Sequence, residues 1–222
     1  MTSVKTKRKK ALKIYTANEE IAHSITHGFG IILSIVALVF LLVCAAKKGT
    51  AWHIVSFSIY GVSMILMYTM STLYHSFSEP GLKRKLKIAD HAAIYLLIAG
   101  SYTPFLLVNM RGPWGWSLFG VIWSLALAGI IYKLFFTGRF PRFSLFVYLL
   151  MGWLCVIALP EMIATIPFRG LMWMVAGGLF YTFGVIFYVW HRLPYHHAIW
   201  HLFVLAGSIA HFFAVLFYVL PA

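Results

Sequence analysis

His197-Ala-Ile-Trp-His201-Leu-Phe-Val-Leu-Ala-Gly-Ser208-Ile-Ala-His211 opens the last apolar run of the chain. At roughly 100° per residue on a helix, His201 lies about 40° from His197, Ser208 about 20°, and His211 about 40° on the other side. One face is polar and the rest suits lipid. Imidazole is the commonest metal-binding side chain, and an i, i+4 pair can place two ring nitrogens on one ion. A helix of this kind belongs in a bilayer, and the fold follows from finding its companions.

The chain supplies them. Its 222 residues are 62% hydrophobic and 10% charged, with a mean hydropathy of +0.87, which places it among integral membrane proteins. Spans of close to the roughly 20 residues that cross a bilayer are expected at about 21–46, 52–77, 88–108, 114–136, 142–159, 168–190 and 195–220. Glu79-Pro80-Gly81 and Gly112-Pro113 separate spans, Pro104 is expected to bend the third, and the fifth is expected between Pro141 and Pro160. The fold class is thus all-α, a seven-transmembrane helix bundle. Residues 1–18 read as a basic cytoplasmic tail and 19–222 as a single membrane domain.

Net charge of +13 could suggest nucleic acid, but the basic residues sit in short segments between apolar spans, so nucleic-acid binding is excluded. Their distribution reports orientation instead. With the N-terminus inside, only Lys47, Lys48, Arg111 and Arg169 of the 18 Lys and Arg lie outside, and the positive-inside rule gives a cytoplasmic N-terminus and an external C-terminus. Lys5 to Lys13 should lie against anionic lipid. Cys44 and Cys155 fall in apolar runs, with neither the number nor the spacing of a disulfide framework.

Topology sets depth. Early residues of spans one, three and seven share a level with late residues of span two. Glu20, His23 and His27, Ser71 and His75, Asp90, and His197 and His201 all fall there, and Asp90 is the only aspartate of the chain. On span one, His23, His27, Gly30 and Ser34 form one stripe of polar and small residues suited to a bundle interior. Ionisable groups exposed to lipid cost at least about 2.5 kcal/mol for a central Asp, so these residues should converge.

Three neutral imidazoles, His75, His197 and His201, suit a tetrahedral zinc site with one open position, the form associated with catalysis. Asp90 could then hold or deprotonate water on the metal, and Ser71 could hydrogen-bond that water or a substrate carbonyl. Glu20, His23 and His27 would stand behind the ligands. The alternative is that the same residues make interhelical hydrogen bonds and bind no ion. His53, at the outer end of the second span, reads as interfacial, His91 and His196 as interfacial or as supports behind the ligands, and His211, about two turns beyond His201, as lining an interior cavity.

Glu20-Ile-Ala-His23-Ser-Ile-Thr-His27-Gly, Ser71-Thr-Leu-Tyr-His75, Asp90-His-Ala-Ala-Ile-Tyr-Leu-Leu-Ile-Ala-Gly-Ser-Tyr-Thr-Pro104 and the His197/His201 pair, in this order, resemble the bacterial hemolysin III family, which is related to the progestin and adiponectin receptors. The resemblance covers the chain from about Glu19 onward. It implies a seven-helix bundle with the N-terminus inside, zinc ligands at His75, His197 and His201, and contacts from Asp90 and Ser71 to water on the zinc. Alkaline ceramidases of the wider superfamily hydrolyse lipid amides, which implies a zinc-dependent lipid amide or ester hydrolase of the cell membrane, with a membrane lipid as substrate or ligand. A non-catalytic regulator with a structural zinc and a pore-forming cytolysin are the alternatives. Two departures stand out. The long N-terminal region of the receptors is missing, which argues against an extracellular protein ligand, and His23 stands where the receptors resemble an Asn.

Overall fold

The computed structural model describes residues 15–221, so the basic segment Lys5 to Lys13 lies outside the described residues. Its helices are α1 (Ala17–Lys48), α2 (Ala51–Ser76), α3 (Pro80–Pro104), α4 (Pro113–Phe136), α5 (Pro141–Gly152), α6 (Leu159–Thr165), α7 (Phe168–Val189) and α8 (His196–Tyr218). They make seven spans long and apolar enough to cross a membrane, with α5 and α6 sharing the fifth. Among the described residues there is no strand. The protein is a multi-pass membrane protein.

Local chemistry sets the helix ends. Thr16 and Glu19 form a reciprocal capping box at the start of α1: the Glu19 N–H donates to Thr16 Oγ1 (3.3 Å) and the Thr16 N–H to Glu19 Oε2 (2.9 Å). α3 starts eight residues before the expected 88. Glu79 accepts the N–H groups of Gly81 and Leu82, and Pro80 occupies a first-turn position where its missing N–H is no loss. The segment Lys83 to Lys87 is therefore helix.

α1 shows how lipid and core divide one helix. Ile21, Ile25, Phe29, Ile32, Val36 and Val43 are exposed, while His23, His27, Gly30, Ser34, Ala37, Leu41 and Ala45 are buried. The stripe read from sequence is the interior one. α1 packs on α2 and α8, α2 on α3, α3 on α4, and α7 on α8. The α7–α8 seam is close because of two reciprocal glycines: a Cβ on Gly177 would collide with the His211 ring, and one on Gly207 with the Tyr181 ring at 2.6 Å.

Two spans are irregular. Past Pro104 the third continues as a widened turn, Phe105–Asn109, with the Met110 N–H reaching the Phe105 carbonyl at 2.9 Å. A proline inside a helix removes one donor and crowds the carbonyl four residues back, and the widened turn follows it directly. The fifth span runs on to Thr165 instead of ending near 159, because Pro160 sits in the first turn of α6, after the tight turn Leu154–Ala158. Backbone groups freed at that break are met by one side chain. Tyr102 Oη lies 2.9 Å from the Met151 carbonyl and 2.8 Å from the Gly152 carbonyl, and it accepts the Cys155 N–H at 3.0 Å.

Candidate metal centre

Five imidazoles meet where α1, α2 and α8 come together, and each is at least nine-tenths buried. The rings of His27 and His201 stack at 3.5 Å and 10°. His75 lies 5.1 Å from His197 and 5.2 Å from His201, centroid to centroid, and His197 lies 4.6 Å from His201. One ring nitrogen from each of His75, His197 and His201 falls within 4.8 Å of the others, so the three together could hold a metal ion.

Hydrogen bonds on the far side of two rings orient them. His75 Nδ1 is 2.6 Å from Glu20 Oε2, a carboxylate that can only accept, so the ring proton belongs on Nδ1 and the lone pair on Nε2. His201 Nδ1 is 3.2 Å from Thr26 Oγ1, whose own proton goes to the Ala22 or His23 carbonyl at 2.8 or 2.9 Å. The hydroxyl is thus left to accept from His201, whose Nε2 is then also a lone pair. His75 Nε2, His201 Nε2 and His197 Nδ1 are all buried without a hydrogen-bond partner. Each unsatisfied buried polar atom costs about 1–3 kcal/mol, and metal-binding histidines almost always carry such a partner on the opposite nitrogen. The residues fit a metal ion.

The remaining sites of interest surround this group. Glu20 also takes the Lys83 ammonium at 2.8 Å. His23 lies among the imidazoles, 4.6 Å from His75 and 4.8 Å from His197, and neither of its nitrogens has a hydrogen-bond partner. Tyr15 packs edge-on against it at 4.7 Å, and burial pushes the Tyr15 phenol well above its usual pKa. Asp90 is not a member of the three-imidazole group. The Ser71 hydroxyl faces its carboxylate, and His91 Nδ1 lies at 3.4 Å.

A cavity of about 220 Å³ is lined by His27, Asp90 and His211 and by residues of α3, α5, α7 and α8. Its lining is largely apolar, and Val156, Leu159 and Val175 belong both to the cavity wall and to the exposed apolar surface. The cavity therefore reaches the lateral face of the bundle beside the broken fifth span.

The outer histidines take several roles. His211 lines the cavity, as expected from its register. His53 is buried rather than interfacial, its Nε2 3.1 Å from the Val219 carbonyl and its Nδ1 receiving the Thr50 N–H at 3.0 Å, because the ends of α2 and α8 meet there. His196 is also buried, with Nδ1 2.9 Å from the Phe187 carbonyl. His91 is 2.8 Å from the Lys87 carbonyl. Both cysteines are free and half-buried. Sequence reasoning missed Thr26 and Lys83. Thr26 stands one residue before His27 inside the first span, and a hydroxyl within that span was the available signal.

Comparison with known proteins agrees with the motif reading. The profile described as Haemolysin-III related matches residues 15–212. The chain belongs to this family. It is similar to Hemolysin-3 of Bacillus cereus, at 54% identity over 203 residues that cover 91% of this chain and 93% of the relative. It is also similar to the Hemolysin-3 homolog of Bacillus subtilis (strain 168), at 55% over 205 residues, 92% of this chain and 96% of that one. The Monocyte to macrophage differentiation factor of Homo sapiens is 31% identical over 208 residues, 90% of this chain and 84% of its own. Haemolysin-III-related proteins thus share this chain almost end to end.

Proposed function

We propose that this haemolysin-III-related protein is a zinc-dependent hydrolase of an amide or ester in a membrane lipid. The observation that carries this is the convergence of three buried, unpartnered imidazole nitrogens beside an apolar cavity that reaches the lateral surface. His75, His197 and His201 hold the ion, with the His75 ring fixed by Glu20 and the His201 ring by Thr26. Zinc bound there supplies Lewis acidity and water activated at neutral pH.

The chain's own residues do the rest. The apolar cavity receives an acyl chain and excludes bulk water. Asp90, at the cavity wall, takes the proton that water loses as its oxygen bonds to the acyl carbon. It returns that proton to the departing amine or alcohol, leaving a free acid. Ser71 holds the Asp90 carboxylate in place and His27 closes the wall next to the ligands. With the N-terminus inside, this chemistry lies near the inner leaflet.

A second reading has its own observation. The three imidazoles tie α2 to α8, with α1 as their support, so a metal there could serve a regulator as a structural clamp. One experiment separates the two. Purified protein is assayed for metal and for release of fatty acid from lipid amides and esters, with Asp90→Asn as control. The hydrolase reading expects one zinc per chain in both forms and turnover reduced about 10²–10⁴-fold in Asp90→Asn. Equal turnover in both would defeat the assigned mechanism, and a metal-loaded wild type inert toward every lipid would leave the clamp.

A further inference from the structure

We infer that Glu20, His23 and His75 form a second cation site, an outer staging position through which a divalent ion reaches the three-imidazole group. This rests on the metal-binding reading of His75, His197 and His201 and goes beyond it. One ligand atom from each of Glu20, His23 and His75 lies within 4.8 Å of the other two. Glu20 Oε2 is 2.6 Å from His75 Nδ1 and 3.7 Å from His23 Nδ1.

The independent sign of a ligand is His23. It is wholly buried, and both its ring nitrogens lack a hydrogen-bond partner. A neutral imidazole placed so has one donor and one acceptor out of water with no hydrogen bond to either, Glu20 Oε2 standing 3.7 Å from Nδ1 and beyond that reach, a cost that a cation on the acceptor nitrogen would offset. The inner group does not use His23, since its three ligands are His75, His197 and His201.

His75 belongs to both groups, and that makes the outer site a transit position. A neutral imidazole carries one ring proton. With that proton on Nδ1, donated to Glu20, the Nε2 lone pair serves the inner group. With it on Nε2, the Nδ1 lone pair joins Glu20 and His23. The two groups are therefore filled in turn. Glu20 is the member nearest solvent, its side chain 18% exposed against 0% for His23 and His75, so an ion arriving from the aqueous side meets it first. Lys83 guards that approach. Its ammonium neutralises Glu20 at 2.8 Å and also reaches the Phe77 carbonyl at 3.2 Å, a partner it can keep when an incoming cation displaces it from the carboxylate. The occupant is a divalent ion of the class that takes mixed imidazole and carboxylate ligands.

The test follows metal loading rather than turnover. Apo full-length protein in detergent is mixed with Co²⁺, and the visible absorbance of cobalt bound to imidazoles is followed in time. His23→Asn is expected to slow uptake at least about tenfold, in line with losses seen when groups around a metal site are removed, with the same final cobalt per chain. Lys83→Gln is expected to speed uptake. His201→Ala, which dismantles the inner group, is expected to keep a weak, readily chelated cobalt that the His23→Asn/His201→Ala double variant lacks. Should His23→Asn fold poorly, Lys83→Gln and His201→Ala still decide the matter. Wild-type loading rates in the variants, with no residual cobalt in His201→Ala, would overturn the outer site alone. A wild type that takes up no cobalt would overturn the metal reading beneath it and the outer site together.

Discussion

Two regions of this bundle handle buried polar groups in opposite ways. At the break in the fifth span, the Tyr102 hydroxyl meets freed backbone groups of Met151, Gly152 and Cys155, and Trp153 Nε1 finds Thr182 Oγ1 at 3.0 Å. Where α1, α2 and α8 meet, seven ring nitrogens on His23, His27, His75, His197 and His201 are buried with no hydrogen-bond partner. In lipid an unmet polar group has no water to fall back on, so the first region is a repair and the second an invitation to a ligand.

Perturbing each region should separate them. The largest effect is expected at the imidazoles: His75→Ala, which removes a ligand shared by both groups, should take metal content from one ion per chain to none by elemental analysis, and His201→Ala should lose the tightly held ion, leaving only what a chelator strips readily; full retention in both would show that the nitrogens converge for another reason. Next comes the repair. Tyr102→Phe leaves the backbone groups at the break unmet and should lower stability by about 1–3 kcal/mol in denaturant titration, with metal content unchanged. If that variant also lost its metal, the two regions would be one cooperative unit.

Smaller still is Thr26→Val, which keeps the shape and removes the oxygen that receives His201 Nδ1–H. It should weaken metal binding about tenfold in competition with a chelator, without loss of fold. The smallest effect is outside both regions. Glu79, capping α3 through the N–H groups of Gly81 and Leu82, has its carboxyl pKa lowered by those hydrogen bonds from an ordinary 4.5. A lowered folded-state pKa means a stabilising contribution fully present above pH 4.5 and lost as pH falls through the folded value. Wild type and Glu79→Gln should therefore differ in thermal midpoint near neutral pH and converge in acid.

Much of the bundle was legible because lipid simplifies the code. An apolar run of sufficient length has few alternatives to a spanning helix, and the stripe His23, His27, Gly30, Ser34 could face only inward. The same logic brought His75, His197 and His201 together, since all fall within about two or three turns of depth on faces that lipid would not tolerate. What periodicity could not show was anything set by a single long-range hydrogen bond. The backbone groups freed at the break in the fifth span are met by Tyr102, fifty residues before Gly152 in the chain. The orientation of the His201 ring depends on Thr26, 175 residues away. His53 reads as interfacial until the Val219 carbonyl is seen beside it. Asp90 lines the cavity, with the Ser71 hydroxyl facing its carboxylate, and the spacing of the motifs gave no sign of that cavity's walls.

The interlocked seam of Gly177 with His211 and Gly207 with Tyr181 makes α7 a splint for α8. α7 contributes none of the three imidazoles, yet it fixes how far α8 can slide or turn, and so where His197 and His201 come to rest. A single methyl at Gly177, remote from any ligand, would act on the metal centre as a wedge acts on a hinge, and inheritance of the centre requires that a residue with no chemistry of its own stay the smallest one available.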